Sequence, residues 1–342
     1  MVRPSTLADT RRRHGHTQES LARQLGVDVS SIARWERGTS PPSPRMRVAL
    51  ARELALSLDQ LADLLPASKH TRARRRTRPT RRAETADEVP ELIKDRWSSA
   101  DCARLASQLG TNPVRKVTGE HTARVAHQWL ITPAPALVEA REPHQRTRRI
   151  GTDTLNHLQA RLRYLHHADD FVAGGDLHAT IQDELAGAAS LLHTSRFTDT
   201  TGRALLRVLA ELAELAGWST ADAGYTRTAE HYYLHGIQAA HVANAQVLAA
   251  HLVSSLGYHL AETGTAPHEA VLVTRSALAR IDELAATDDA ATPSVRALLH
   301  ARTAWAHTVA CEPSHAAEQI HRAEDAYAHR SSADPDPPGP TG

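Results

Sequence analysis

The chain has 342 residues, of which 41% are hydrophobic, only 4% are aromatic and 23% are charged. This length suffices for roughly two or three domains, and the scarcity of aromatic residues and of alternating strand patterns favours an all-α fold. Two distant cysteines give no disulfide framework, and no apolar run reaches the length of a membrane span. We therefore expect a cytoplasmic protein, with neither a signal peptide nor a membrane partner.

The net charge of +1 conceals an uneven distribution of charge along the chain. Residues 1–82 contain 18 Lys and Arg against 7 Asp and Glu, a net of +11, whereas the remaining residues carry a net of −10. A basic N-terminal segment on an acidic remainder indicates that one end of the molecule meets phosphates.

The first predicted elements lie in residues 17–38, TQESLARQLGVDVSSIARWERG. Thr17 is placed to cap a short helix, and a tight turn then leads to a second helix over residues 29–37. In that second helix Ile32 and Trp35 have the spacing of a buried face. The residues expected to point outward are Ser30, Ser31 and Arg34.

This stretch resembles the helix-turn-helix of the phage-repressor/Cro (Xre) family, whose pattern is T-Q-x-x-L-A-x-x-L-G-x-x-x-x-x-I-x-x-W-E-x-G. The likeness extends back to Leu7 and forward through residues 50–65, so residues 5–66 are expected to form a five-helix, lambda-repressor-like domain that binds double-stranded DNA. The matching residues are Thr17, Gln18, Leu21, Ala22, Leu25, Gly26, Ile32, Trp35, Glu36 and Gly38.

The resemblance also implies roles for single residues. The base-reading positions are Val29, Ser30 and Arg34, and the expected phosphate contacts are Gln18, Ser31, Arg45 and Arg47. A bidentate contact from Arg34 to guanine is typically worth about 1–3 kcal/mol of discrimination. Arg11 is expected to pair with Glu36 inside the domain; the alternative is two unrelated surface charges. For Arg45 and Arg47 the alternative is a pair of solvated charges at a helix start.

Residues 67–88 are predicted to be a linker that is first basic and then acidic. Its basic part, KHTRARRRTRPTRR, holds eight positive charges and no acidic residue, a composition typical of a segment that is disordered when free. It can follow the DNA backbone, with Arg74, Arg75 and Arg76 as phosphate contacts; the alternative is a solubilising linker.

Residues 89–147 are predicted to be a helical bridging region. A serine at 98 or 99 can cap a helix that runs to Leu109, and a further helix ends near Leu130. A winged-helix-like module is the alternative.

From residue 148 to residue 330 the pattern becomes paired helices, followed by a disordered tail over 331–342. The predicted helices cover residues 154–171, 177–192, 202–216, 221–242, 244–260, 267–284, 293–310 and 313–330. Small residues recur seven apart at Ala229/Gly236, Ala270/Ala277 and Ala316/Ala323, which permits close helix packing. The units are longer than a tetratricopeptide repeat, so we predict a TPR-like α-solenoid.

The whole arrangement is similar to a group of actinobacterial regulators with an Xre-type head and a TPR-like body. The likeness rests on Gly174-Gly175, on GWSTADAG (residues 217–224) and on AEHYYLHGIQAA (residues 229–240). It implies a transcriptional regulator, associated with the nucleoid, whose body mediates homodimerisation and senses a small molecule, peptide or protein. The alternative is a protein-interaction scaffold that the helix-turn-helix tethers to DNA.

No catalytic or metal-binding pattern stands out in the sequence. The sequence has no phosphate loop, nucleophile elbow or dinucleotide fingerprint, so neither an enzyme nor a cofactor is expected. His231 and His235 lie four apart on a helix, but two histidines do not complete a zinc site. The richest mixed aromatic and polar patch is a candidate effector groove, with packing between helices as the alternative. It comprises Trp218, Asp222, Tyr225, Tyr232 and Tyr233.

Overall fold

The structure is a computed structural model. It describes residues 6–25, 27, 29–37, 42, 44–56, 60–61, 64–65, 94, 96–109, 118–137, 148–169, 174–264, 266–287 and 290–331. The predicted linker at 67–88 and nearly all of the predicted tail at 331–342 lie outside these residues.

We call residues 6–65 the head. Its helices are α1 (Leu7–Arg13), α2 (Gln18–Leu25), α3 (Val29–Arg37) and α4 (Pro44–Glu53). Thr6 starts α1 with a capping box, because its side chain accepts a hydrogen bond from the Asp9 backbone while the Asp9 side chain accepts one from Thr6. Only part of the fifth predicted helix is described, including the buried Leu61.

We call residues 96–331 the body. Its helices are α5 (Ser99–Leu109), α6 (Gly119–Ile131), α7 (Thr152–Asp169), α8 (Gly174–Thr194), α9 (Asp199–Asp222), α10 (Thr226–Val242), α11 (Gln246–Thr263), α12 (Pro267–Leu284), α13 (Pro293–Val309) and α14 (Pro313–Ala328). Two short parallel pairs of strands join β1 (Arg96–Trp97) to β2 (Ala136–Leu137) and β3 (Arg148–Arg149) to β4 (Ser195–Arg196). The all-α prediction is confirmed. Among the described residues, none of the helices combines the length and apolar character that crossing a membrane requires.

Consecutive helices of the body pack against each other from α7 to α14. The odd-numbered helices also touch one another, since α9 packs on α11 and α11 packs on α13. On the other side, α5 lies on α8 and α10, and α6 lies on α10 and α12. The body therefore has two rows of helices, and the two N-terminal helices cover the even-numbered row.

The sequence suggested that residues 89–147 form a bridge between the head and the body. The described residues between 96 and 131 are instead part of the body. Their buried side chains, such as Trp97, Leu105 and Trp129, belong to the same hydrophobic core as α8–α13. Trp129 is held from α12, where the Arg280 guanidinium lies 5.6 Å from its ring centroid. The head has a separate core, which includes Leu21, Ile32 and Leu50.

Three glycines that lie between predicted helices are helical in the structure. Gly217 lies inside α9, which continues to Asp222. A Cβ atom at this position would stand only 2.7 Å from the Tyr233 ring. The glycine therefore permits close packing, and the chain turns instead at Gly224, where φ is +83°. Gly174 and Gly175 likewise form the first turn of α8.

Candidate nucleic-acid interface

The start of α2 is fixed by two reciprocal hydrogen bonds. The Thr17 backbone donates to Ser20 Oγ over 2.8 Å, and the Ser20 backbone donates to Thr17 Oγ1 over 3.0 Å. Serine here takes the place of the glutamate of a standard capping box. Behind α2, Leu21 and Ala22 are buried against Ile32 and Trp35 of α3, and this packing sets the angle between the two helices.

Glu36 ties three helices of the head together. Arg11 Nε on α1 donates to Glu36 Oε1 over 2.6 Å, and both side chains are 9% exposed. Gln18 Nε2, at the first residue of α2, donates to Glu36 Oε2 over 2.6 Å. Both carboxylate oxygens are therefore engaged, and the end of α3 is held against the last turn of α1 and the start of α2.

Gln18 was predicted to meet a phosphate, and the structure gives its amide a first partner inside the head. An amide nitrogen carries two hydrogens, and the bond to Glu36 uses one of them and orients the group. This contact fixes the orientation of the half-buried Gln18 amide.

The outward face of α3 is made by residues three and four apart. Val29 is 37% exposed, Ser30 and Arg37 are exposed, and Arg34 is half-buried. Arg37 was not among the predicted contacts, although its spacing of three from Arg34 and seven from Ser30 is the signal that places it on this face.

Ser31 differs from the prediction that it faces a phosphate. Its side chain is buried, with 8% of the residue exposed, because it lies one turn before Trp35 at the edge of the buried face. Its Oγ accepts a hydrogen bond of 3.1 Å from Arg34 Nη2. Ser31 therefore positions the guanidinium that is expected to read guanine, and its own phosphate contact stays a prediction.

Several predicted phosphate contacts lie outside the described atoms. Arg45 and Arg47 belong to α4, but their side chains are not described. Arg74, Arg75 and Arg76 lie outside the described residues altogether.

The predicted effector groove of the body is not one surface. Tyr233 is 1% exposed and Tyr232 is 5% exposed, with the Tyr232 hydroxyl accepting a hydrogen bond of 3.1 Å from Gln182. Trp218 is half-buried and stacks on Tyr258 with ring centroids 6.2 Å apart. Tyr225, by contrast, is 48% exposed beside the turn after α9, where Asp222 is half-buried. The two central tyrosines pack between helices, which is the alternative that the sequence left open.

A polar network instead crosses the odd-numbered row of helices. Glu214 on α9 receives hydrogen bonds at Oε1 from His251 Nε2 over 2.5 Å and from Ser255 Oγ over 2.9 Å, both on α11. Arg302 Nη1 on α13 donates to Ser255 Oγ over 2.9 Å. All four residues are at most 5% exposed. We call them the buried network.

Charges balance inside the buried network. Burial alone would raise the pKa of Glu214, but His251, Arg302 and the Ser255 hydroxyl outweigh it, and the pKa lies below its ordinary value. Burial lowers the pKa of His251. Glu214 is therefore an anion facing the Arg302 cation, and a neutral His251 donates to it. The spacing of four between His251 and Ser255 on one helix is the sole feature of the sequence that points to this set.

The comparisons with known proteins bear on the head alone. A family model described as helix-turn-helix matches residues 7–61. No curated protein and no solved structure matches the chain. The match coincides with the reciprocally capped α2, the outward face of α3 and the Glu36 contacts. Residues 7–61 are a helix-turn-helix domain of the DNA-binding type, and this part of the Xre resemblance is confirmed.

Proposed function

We propose that the chain is a sequence-specific transcriptional regulator that reads an operator in the major groove with α3. The observation that carries this proposal is the helix-turn-helix match over residues 7–61, together with an α3 whose solvent face holds Ser30, Arg34 and Arg37. A helix that carries such donors on one face and packs on a capped neighbour with the other is the geometry of groove readout.

Arg34 is the principal base contact in this proposal. Ser31 holds one of its terminal nitrogens, and the guanidinium has further donors for the two acceptors of a guanine edge. Ser30 offers a hydroxyl to a base or to a phosphate. Val29 offers only apolar contact, which suits a thymine methyl group.

Phosphate contacts supply the remaining affinity in this proposal. Gln18 enters from the start of α2, and the basic segment of residues 69–82 adds eight positive charges that follow the DNA backbone. Such contacts carry no sequence information but fix the register of the head on the duplex. The role assigns the protein to the nucleoid in the cytoplasm.

A single head has few base contacts, so we propose that two chains bind a two-fold related operator. The end of the body favours a self-contact, since Trp305, Ile320 and Tyr327 are 41%, 48% and 53% exposed on the last two helices. Solenoids normally end in a helix with a polar outer face. The TPR-like body would then mediate dimerisation and couple it to a sensed small molecule, peptide or protein.

The same exposed side chains also suit contact with a different protein. The second candidate function is therefore a protein-interaction scaffold that the helix-turn-helix tethers to DNA. The two functions separate in the cell. A regulator changes transcription of nearby genes when it is deleted, whereas a scaffold leaves transcription unchanged and captures one protein partner in stoichiometric amount.

Footprinting on the DNA that flanks the gene tests the readout. Wild-type protein should protect a two-fold related site, and the Ser30→Ala, Arg34→Ala double variant should lose that protection. Arg124→Ala is the matched control, because it removes an exposed arginine from α6, away from the last two helices. Protection that survives in the double variant would overturn the assigned readout.

A further inference from the structure

The turn between α13 and α14 brings three metal-ligating side chains together. His307 lies in the last turn of α13, Glu312 precedes α14, and His315 lies in its first turn. One ligand atom from each residue lies within 4.8 Å of the others. In the part of the chain that the structure describes, this is the sole such group of three or more His, Cys, Asp or Glu side chains.

The turn is fixed by the backbone. Cys311 adopts the left-handed conformation, with φ at +60°, and its backbone donates to the Thr308 carbonyl over 3.1 Å. The Glu312 backbone donates to the His307 carbonyl over 2.9 Å, and Pro313 then starts α14. The three ligands are therefore held by a closed turn, so little ordering is required when an ion binds.

The spacing of the ligand atoms suits a small tetrahedral ion. Glu312 Oε2 lies 2.7 Å from His307 Nδ1 and 3.7 Å from His315 Nδ1. Zinc bonds of about 2.0–2.1 Å separate tetrahedral ligand atoms by about 3.4 Å, and the two measured distances bracket this value. The imidazole rings of His307 and His315 stack with centroids 5.2 Å apart, which presents both Nδ1 atoms to the same carboxylate.

Glu312 is committed to this cluster and not to its own helix. It occupies the cap position of α14, yet its side chain makes no capping hydrogen bond. The hydrogen bond from His307 lowers the pKa of Glu312, and the nearby imidazoles of His315 and His268 lower it further. His268, at the start of α12, thus adds another imidazole close to the carboxylate.

Exposure increases from one ligand to the next. The side chain of His307 is 5% exposed, that of Glu312 is 35% exposed and that of His315 is 65% exposed. An ion can therefore enter from solvent and reach a ligand at the base of the site.

We propose that His307, Glu312 and His315 bind a divalent transition-metal ion of the zinc class, with water in the remaining coordination position. Two imidazoles and one carboxylate suit Zn²⁺ and its neighbours better than Mg²⁺ or Ca²⁺, which prefer oxygen ligands alone. The ion would clamp α14 to α13. Among the side chains of α14, only Ala316 is buried, so this last helix has the most to gain from a clamp.

This proposal does not depend on the proposed regulatory function. The site lies wholly in the last helix pair, and binding of the metal can be measured without DNA.

Calorimetric titration of Zn²⁺ into the full-length, chelator-treated chain tests the site. Wild-type protein should bind one equivalent of Zn²⁺ with a higher affinity than that of any site formed by the remaining histidines. His315→Ala and Glu312→Gln should each bind this equivalent at least about 10-fold more weakly. His329→Ala is the matched control, because it removes an exposed histidine that lies 3.9 Å from a carboxylate on the same helix. That control should bind as the wild type does.

Two further readouts separate the site from a folding defect. Zn²⁺ should raise the melting temperature of the wild type and of His329→Ala but not that of His315→Ala or Glu312→Gln, whose far-UV spectra should be native. Affinity should fall as the pH is lowered, because protons compete for the imidazoles. Equal affinity and stoichiometry in wild type, His315→Ala and Glu312→Gln would overturn the proposal, as would a wild type that binds no zinc.

Discussion

The head and the body both bury a carboxylate, and they treat it differently. In the head, Glu36 is 9% exposed and both of its oxygens receive short hydrogen bonds, from Arg11 and from Gln18. In the body, Glu214 is 1% exposed and Oε1 receives both of its hydrogen bonds, while Oε2 has no partner among the described residues. The head satisfies its buried charge fully at the edge of a small core, whereas the body leaves an oxygen unsatisfied at the centre of a large one.

The difference indicates what each carboxylate does. Fully satisfied pairs at an edge fix geometry, and Glu36 fixes the end of the helix that we propose faces DNA. A carboxylate with one unsatisfied oxygen deep in a core lowers stability, and such a group is tolerated when it specifies one arrangement of its neighbours. Disrupting the first should affect DNA binding most, and disrupting the second should affect folding most.

Acid should produce the largest effect, and this effect should come from the buried histidines of the body. Burial lowers the pKa of His235 to about 3 and those of His241 and His259 to about 4. The unfolded chain therefore takes up protons first as the pH falls below about 6.5, so stability is full above that pH and is lost progressively towards pH 4. Each histidine contributes about 3 kcal/mol or more of this loss, at 1.4 kcal/mol per pKa unit.

Thermal melts between pH 7.5 and pH 4.5 measure this loss. His241→Leu should flatten the profile by one proton, because neither ring nitrogen of His241 has a hydrogen-bond partner among the described residues. A wild-type melting temperature that is constant over this range would contradict the assignment of neutral buried histidines.

Removal of the buried cation should be next in size. Arg302→Met leaves Glu214 in the core without its countercharge and should lower the free energy of unfolding by about 3–5 kcal/mol. The Arg302→Met, Glu214→Gln double variant removes both charges and should recover most of this loss. Urea titrations compare the two, and equal losses in the single and the double variant would show that the charges are not coupled.

Loss of the carboxylate in the head should be smaller and local. Glu36→Ala removes two hydrogen bonds, one of them from a charged group, and should destabilise the head by about 2–3 kcal/mol. Hydrogen exchange should show faster opening of α1–α3 and unchanged protection of α9–α13. Loss of protection in the body would mean that the head and the body do not fold independently.

Ser31→Ala should give the smallest change, and only in DNA binding. The lost hydrogen bond to Arg34 is worth about 1 kcal/mol, which is roughly a fivefold weaker operator affinity. In an Arg34→Ala background the same substitution should have no effect. An additive effect in gel-shift titrations would instead support the direct phosphate contact that the sequence suggested.

The sequence predicted the helices of the body closely where caps and prolines mark their starts. Residues 267–284 agree with α12 at both ends, and Pro293 and Pro313 begin α13 and α14 as expected, since proline is favoured in the first turn of a helix. The predicted end of a helix at residue 216 was wrong. A glycine that ends a helix and a glycine that leaves room for an aromatic ring look alike in a single sequence.

The sites were harder to predict because their residues meet only in the fold. Glu214, His251 and Arg302 lie on three separate helices, and each alone is typical of a solvated face. The metal ligands are close in sequence, within residues 307–315, but the left-handed turn at Cys311 brings them together. In the head, by contrast, the spacing of residues within one helix already places Val29, Ser30 and Arg34 on its outward side.

The residues of the buried network leave the ribosome in a fixed order, and this order affects when the body can fold. Glu214 leaves the ribosome first, His251 follows, and Arg302 emerges only with α13, close to the end of the chain. Until then, docking α9 against α11 would enclose an anion with no cation beside it, which is unfavourable in a core. The helix pairs of the body should therefore not fold one by one during translation. They should close together after α13 has been released, whereas the head, with its own core, is free to fold long before.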